Sequence, residues 1–76
     1  MKELLEALAR ALVDEPRRVR VRERVDEDFV RLELEVAPED RGRVIGRGGR
    51  TVDALRTLLD AVARSQDREC RLEVMD

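Results

Sequence analysis

The sequence predicts an α+β fold: a three-stranded mixed sheet with helices packed on one face. Two observations carry this. Apolar residues recur at helical spacing near both ends of the chain, and between and after those stretches the period drops to two. The order of periods reads helix, strand, strand, helix, loop, helix, strand, which is a two-layer sandwich. With 76 residues, 42% hydrophobic and 45% charged, the chain supports one core under a strongly ionic surface, so residues 1–76 are read as one domain.

The first element is an amphipathic helix over residues 3–13. Leu4, Leu5, Leu8, Ala11 and Leu12 share one stripe, while Glu3, Glu6 and Arg10 fall elsewhere. Asp14-Glu15-Pro16 ends it. From Val19 the period is two, with Val19, Val21 and Val25 on one face and Arg18, Arg20, Arg22 and Arg24 on the other. The acidic turn Asp26-Glu27-Asp28 leads into a second strand, Val30, Leu32, Leu34 and Val36 inward and Arg31, Glu33 and Glu35 outward. Cross-strand pairing of arginine with glutamate is expected to neutralise the open face of this hairpin.

Ala37-Pro38-Glu39-Asp40 reads as a helix start, with proline in the first turn and acids favoured by the helix dipole. About two turns fit before Gly46. A loop over Gly46 to Gly49 follows, and a helix resumes from about Thr51 to Arg64. Its stripe is Val52, Leu55, Leu59 and Val62, widened by Ala54, Leu58 and Ala61. Ser65 to Glu69 form a loop, and Cys70, Leu72 and Val74 alternate with Arg71, Glu73 and Met75 as a last strand. That strand, arriving after a helical crossover, is expected to lie parallel beside the second.

The formal net charge is -2, yet Arg41, Arg43, Arg47 and Arg50 place +4 in ten residues that also hold all four glycines. The rest of the chain therefore sums to -6: an acidic body with one basic spot. Glycine lets a backbone approach a phosphate closely, and the amides opening the next helix add the positive end of a dipole. The competing reading is a tight corner between helices that binds nothing, or a protein-interaction or dimerisation module in which the glycines serve the turn alone. A Walker loop fails, because Val44 occupies the place of its first glycine and its lysine is missing. A dinucleotide fingerprint fails because Thr51 replaces its third glycine and a helix precedes it.

What remains is a G-x-x-G loop, Gly46-Arg47-Gly48-Gly49, preceded by Val44-Ile45 and set between two predicted helices. This stretch resembles the VIGxxG signature of K-homology (KH) domains, whose loop clamps the backbone of four single-stranded nucleotides. The leading helix and the element order α-β-β-α-α-β are similar to the type II form of that domain, with three helices on one face of the sheet. The chain as a whole, from MKELLEALARALVDEP through VAPEDRGRVIGRGGRT to LEVMD, resembles the small bacterial stand-alone KH family called KhpA.

The resemblance implies a cytoplasmic single-stranded RNA-binding protein, acting in post-transcriptional regulation or as an RNA chaperone and linked to cell shape. It also implies a homodimer, or a heterodimer with a larger KH-containing protein called KhpB. The residues read as the RNA site are Gly46, Arg47, Gly48 and Gly49, with Arg50 adding charge at the loop and Arg43 and Arg41 flanking it. Val44 and Ile45 would line an aliphatic groove for the bases; core packing competes with that role for both, more strongly for Ile45.

No enzyme is expected, since the chain has no histidine and its acids are scattered over solvated faces. Cys70 is the only cysteine, which excludes an intrachain disulfide and suits a reducing compartment. No cofactor, metal, membrane or small-molecule substrate is expected. Phe29 is the only aromatic residue, which counts against modules that stack bases on rings.

Overall fold

The computed structural model describes residues 1–76. Helix α1, Lys2–Leu12, is followed by a 3₁₀ turn at Pro16–Arg18 and by the hairpin of β1, Arg20–Asp26, and β2, Phe29–Glu35. A second 3₁₀ turn, Pro38–Asp40, leads into α2, Arg41–Ile45. After the glycine segment come α3, Arg50–Ser65, and β3, Glu69–Val74. The sheet has the order β1-β2-β3, with β1 antiparallel and β3 parallel to the central strand. This is the expected α+β architecture and the expected order α-β-β-α-α-β.

One hydrophobic core joins the layers. Leu5 and Ala9 enter it from α1, Leu32 and Leu34 from β2, Leu72 from β3, Val44 from α2, and Leu55 and Leu59 from α3. The helices collect on the face where Val21, Val30, Leu32, Leu34 and Leu72 point, because only that face offers apolar surface to cover.

Several expectations shift on the ground. Arg18 lies in the 3₁₀ turn rather than on a strand, since Pro16 opens a tight turn that the Val19 amide closes by donating to the Pro16 carbonyl at 3.2 Å. The helix expected before the glycines splits into a 3₁₀ turn and the five residues of α2. Val25 is 48% exposed although it shares a face with the buried Val21. The cause is Glu23 between them. Its carboxylate accepts the Lys2 amide at 3.2 Å and lies 3.8 Å from the terminal ammonium, so α1 begins above Glu23. Val25 lies beyond that start with no helix above it.

Ala54, Leu58 and Ala61 do not widen the buried stripe of α3: all three are exposed, and Val52, Leu55, Leu59 and Ala63 alone are buried there. The register sets Arg20 opposite Glu35 and Arg22 opposite Glu33, but neither pair closes into an ion pair, and Arg24 stands against Arg31.

Asp40 is the one buried charged residue, 1% exposed. Its carboxylate accepts the backbone amides of Asp14 and Glu15 at 3.1 and 3.0 Å, tying the end of α1 to the start of α2. Asp40→Ala strands those two donors and is expected to cost about 2–3 kcal/mol in chemical denaturation, with Asp40→Asn intermediate because it still offers one acceptor oxygen.

Beside this clasp, a side-chain hydrogen bond to Glu39 raises the pKa of Glu15, helped by desolvation and by the Glu39 charge. A carboxyl raised in the folded state adds stability at pH below its ordinary value, and that contribution is lost as pH rises through the raised value. Glu39→Gln is expected to bring Glu15 back towards the ordinary carboxylate range, which an NMR titration of its side-chain carboxyl carbon would read.

Candidate nucleic-acid interface

The short helix α2 ends where the Gly46 amide donates to the Gly42 carbonyl at 2.8 Å. Gly46 then takes φ 76°, ψ 169°, a combination open essentially to glycine alone. A β-carbon there would lie 2.8 Å from both the β-carbon and the backbone nitrogen of Thr51, so the first turn of α3 packs directly on this glycine. Arg47–Gly49 make one 3₁₀ turn, closed by the Gly49 amide on the Gly46 carbonyl at 3.1 Å.

Gly48 and Gly49 are successive left-handed residues, at φ 63° and φ 79°, before Arg50 enters α3. The Gly49 and Arg50 amides are spent on the carbonyls of Gly46 and Arg47, so what the turn offers an anion is its open outer side and the helix dipole, not a row of free amides. No side chain caps α3, a 16-residue helix whose dipole is positive at this end. A β-carbon on Gly48 would meet nothing within 4 Å, so the outer side of the turn is open.

The four arginines divide into two pairs. Arg47 and Arg50 are exposed and take part in no ion pair. Arg41 is committed to the chain's last residues: its Nε donates to the Met75 carbonyl at 3.0 Å and its Nη2 lies 2.9 Å from the Asp76 carboxylate. Arg43 bridges Asp14 at 2.9 Å and the buried Asp40 at 3.5 Å. The turn thus keeps two free cations, and the flanking two hold the clasp around Asp40 and the end of β3. The nearest acid of α3, Asp53, turns one carboxylate oxygen to Arg56, 3.3 Å from its Nη1, and the other toward Gly49, 3.9 Å from where a β-carbon there would lie.

Beneath the turn the roles of the two aliphatic residues are the reverse of the sequence expectation. Val44 is fully buried in the core, whereas Ile45 is half-buried and packs at the core's margin. Ile45 is the one with surface left to offer a base.

Sequence reasoning passed over Asp40 as a dipole acid and gave Glu23 no role. Glu23 left a signal, an acid on the inward face between Val21 and Val25; Asp40 left only Arg43 three residues on, because its other partners are the backbone amides of Asp14 and Glu15.

No three His, Cys, Asp or Glu side chains converge to hold a metal ion. Burial, with the charge of Asp60, pushes the Cys70 thiol up and away from thiolate. No helix is long and apolar enough to cross a membrane.

The family model described as "KhpA/KhpB, KH domain" matches residues 2–74. RNA-binding protein KhpA of Halalkalibacterium halodurans is 49% identical over 76 residues, covering the whole of both chains. RNA-binding protein KhpA of Clostridium perfringens is 44% identical over 75 residues, 99% of this chain and all of that protein. RNA-binding protein KhpA of Treponema pallidum is 47% identical over 75 residues, 99% of this chain and 94% of the other. No solved structure gives a significant match. With the α-β-β-α-α-β order and the glycine turn between α2 and α3 in place, the match over nearly the full length gives the conclusion: the chain belongs to the KhpA/KhpB family of KH domains.

Proposed function

We propose that the chain binds single-stranded RNA by its sugar–phosphate backbone at the turn Gly46–Gly49. The observation that carries this reading is an uncapped, outward-open, left-handed turn flanked by two arginines with no partner in the fold. A corner that served packing alone would need Gly46 and has no use for free guanidinium groups beside it. The relatives named RNA-binding protein KhpA support the same ligand.

Arg47 and Arg50 supply charge to the phosphates, and Gly48 and Gly49 let the strand approach. Ile45 meets the bases at the rim, with Val44 supporting it from the core. Arg43 and Arg41 act through the scaffold, so neutralising either costs less affinity than neutralising Arg47. Few phosphates are engaged and the remaining surface is acidic, so binding is weak and sensitive to salt. The whole chain acts as one cytoplasmic RNA-binding unit with no catalytic step, in post-transcriptional control or as an RNA chaperone.

One observation favours a protein-binding role beside this. Ala54, Leu58 and Ala61 form an exposed apolar row on α3, with Leu58 42% exposed. A second copy, or a larger KhpB-like protein, seated there would join two glycine turns on one RNA and raise a weak affinity through effective concentration.

Ultraviolet crosslinking of bound RNA, mapped to residues by mass spectrometry, tests the site. Adducts are expected between Arg43 and Thr51. A map with none in that segment refutes the assignment.

A further inference from the structure

The sheet register sets three arginines in one row on the face turned away from the helices. Arg24 of β1 stands opposite Arg31 of β2, and Arg31 stands opposite Arg71 of β3. Neighbouring strands lie about 4.8 Å apart, so the row is about 10 Å long. Like charges directly opposite one another are destabilising in a sheet. None of the three takes part in an ion pair.

The rows on one side of it set acid opposite base, although no ion pair closes there either. Arg22 stands opposite Glu33, which stands opposite Glu73, and Arg20 stands opposite Glu35. On the other side Asp26, Phe29 and Glu69 form a row with no base. On this outward face only the Arg24–Arg31–Arg71 row has no acid on any strand. The half-buried ring of Phe29 precedes Arg31 by two residues and so shares its face.

We propose that this row is a second RNA contact, in which Arg24, Arg31 and Arg71 take phosphates of a single strand and Phe29 receives a base. The proposal rests on RNA being the ligand of the chain, and not on the glycine turn being its site. Guanidinium groups grip phosphate oxygens bidentately, and an aromatic face stacks a base of any identity. An acidic peptide would use the charges and leave the ring idle. Asp26 and Glu69 beside the ring repel a phosphate and leave its face to an uncharged base.

The glycine turn opens α3, whereas Arg71 follows that helix's far end by way of the loop into β3. β3 runs back along α3, where Arg56 Nη2 donates to the Leu72 carbonyl at 3.4 Å, so Arg71 stands level with the middle of that helix but on the opposite face of the sheet. A strand of four nucleotides, the length a KH loop clamps, would have to pass around the edge of the sheet to join the two surfaces.

The test uses the full chain, its R24Q/R31Q/R71Q variant and its R47D/G48D variant, with an oligouridylate of about twenty nucleotides, several times the clamp length. Arginine Nε–Hε and backbone amide NMR signals are followed during titration, and affinity is measured against salt. Shifts at Arg24, Arg31 and Arg71 are expected, and they should persist in the R47D/G48D variant. The triple variant should lose about tenfold in affinity at low salt, and its log–log salt slope should fall by about two, or about 0.7 for each phosphate released. Its melting temperature without RNA should be unchanged or higher, since like charges have been removed.

If the amides of Gly46–Gly49 shift while the three arginines stay still, the row is overturned and the glycine turn stands. If the arginines shift and the turn does not, the row stands and the proposed loop site is lost. If neither moves, both fall. An unchanged salt slope with a lowered melting temperature in the triple variant makes the row structural and also overturns the proposal.

Discussion

Replacing Arg47 and Gly48 together by aspartate is expected to weaken RNA binding by at least about a hundredfold, because a cation is lost and two anions are placed where phosphates would sit. The fold should survive. Both residues are exposed, and a side chain on Gly48 meets no neighbour within 4 Å. Aspartate is among the residues that tolerate the left-handed region, and the cost there is about 1–2 kcal/mol. Fluorescence anisotropy with labelled RNA reads the first effect, and circular dichroism with size-exclusion chromatography reads the second. Wild-type affinity in a folded double variant would remove the glycine turn from the account of RNA binding altogether.

The opposite balance is expected at Gly46. Gly46→Ala demands φ 76° with ψ 169° from a residue carrying a β-carbon, and presses that carbon against the β-carbon and amide of Thr51. Backbone strain of this kind costs about 1–3 kcal/mol before any clash is counted. The total loss in urea denaturation is expected to reach about 3 kcal/mol or more, a large share of the stability of a small domain. Adding Thr51→Ala clears the hydroxyl but neither the β-carbon nor the amide, so rescue should be partial. Two glycines two residues apart thus separate: Gly46 is required by packing, whereas Gly48 has open space around it. A Gly46→Ala protein as stable as the wild type would show that the corner can be rebuilt without glycine.

Much of this architecture could be read from periodicity, because the buried positions repeat where one face of each element is covered. Leu32, Leu34, Val52, Leu55, Leu59 and Leu72 are all buried as their spacing requires. Periodicity says nothing about how far a neighbouring element extends. Val25 therefore lies exposed past the start of α1, and Leu58 stays in solvent on a helix with only one layer beneath it.

The candidate site was legible to the extent that its backbone demands glycine and its charge lies within ten residues. What could not be read was which arginines are free. Arg41 is held by Asp76 and Arg43 by Asp14, contacts between residues far apart in the chain that no local pattern records; only the Arg43–Asp40 pair lies at a local spacing. The row of Arg24, Arg31 and Arg71 was hidden for the same reason, since it exists only once β3 has docked in its register beside β2.

That docking shapes how the chain assembles. The central strand meets one neighbour across a tight turn, Asp26 facing Phe29, but finds the other only after the entire crossover between Glu35 and Glu69 has closed. Closing so long a segment costs entropy before any hydrogen bond repays it, so the hairpin can form early and β3 completes the sheet late. Truncating Leu72 should chiefly speed unfolding, whereas truncating Val30 should chiefly slow folding, a contrast that stopped-flow chevrons would resolve. The strand that sets the third arginine into its row would also be the last to arrive and the first to leave.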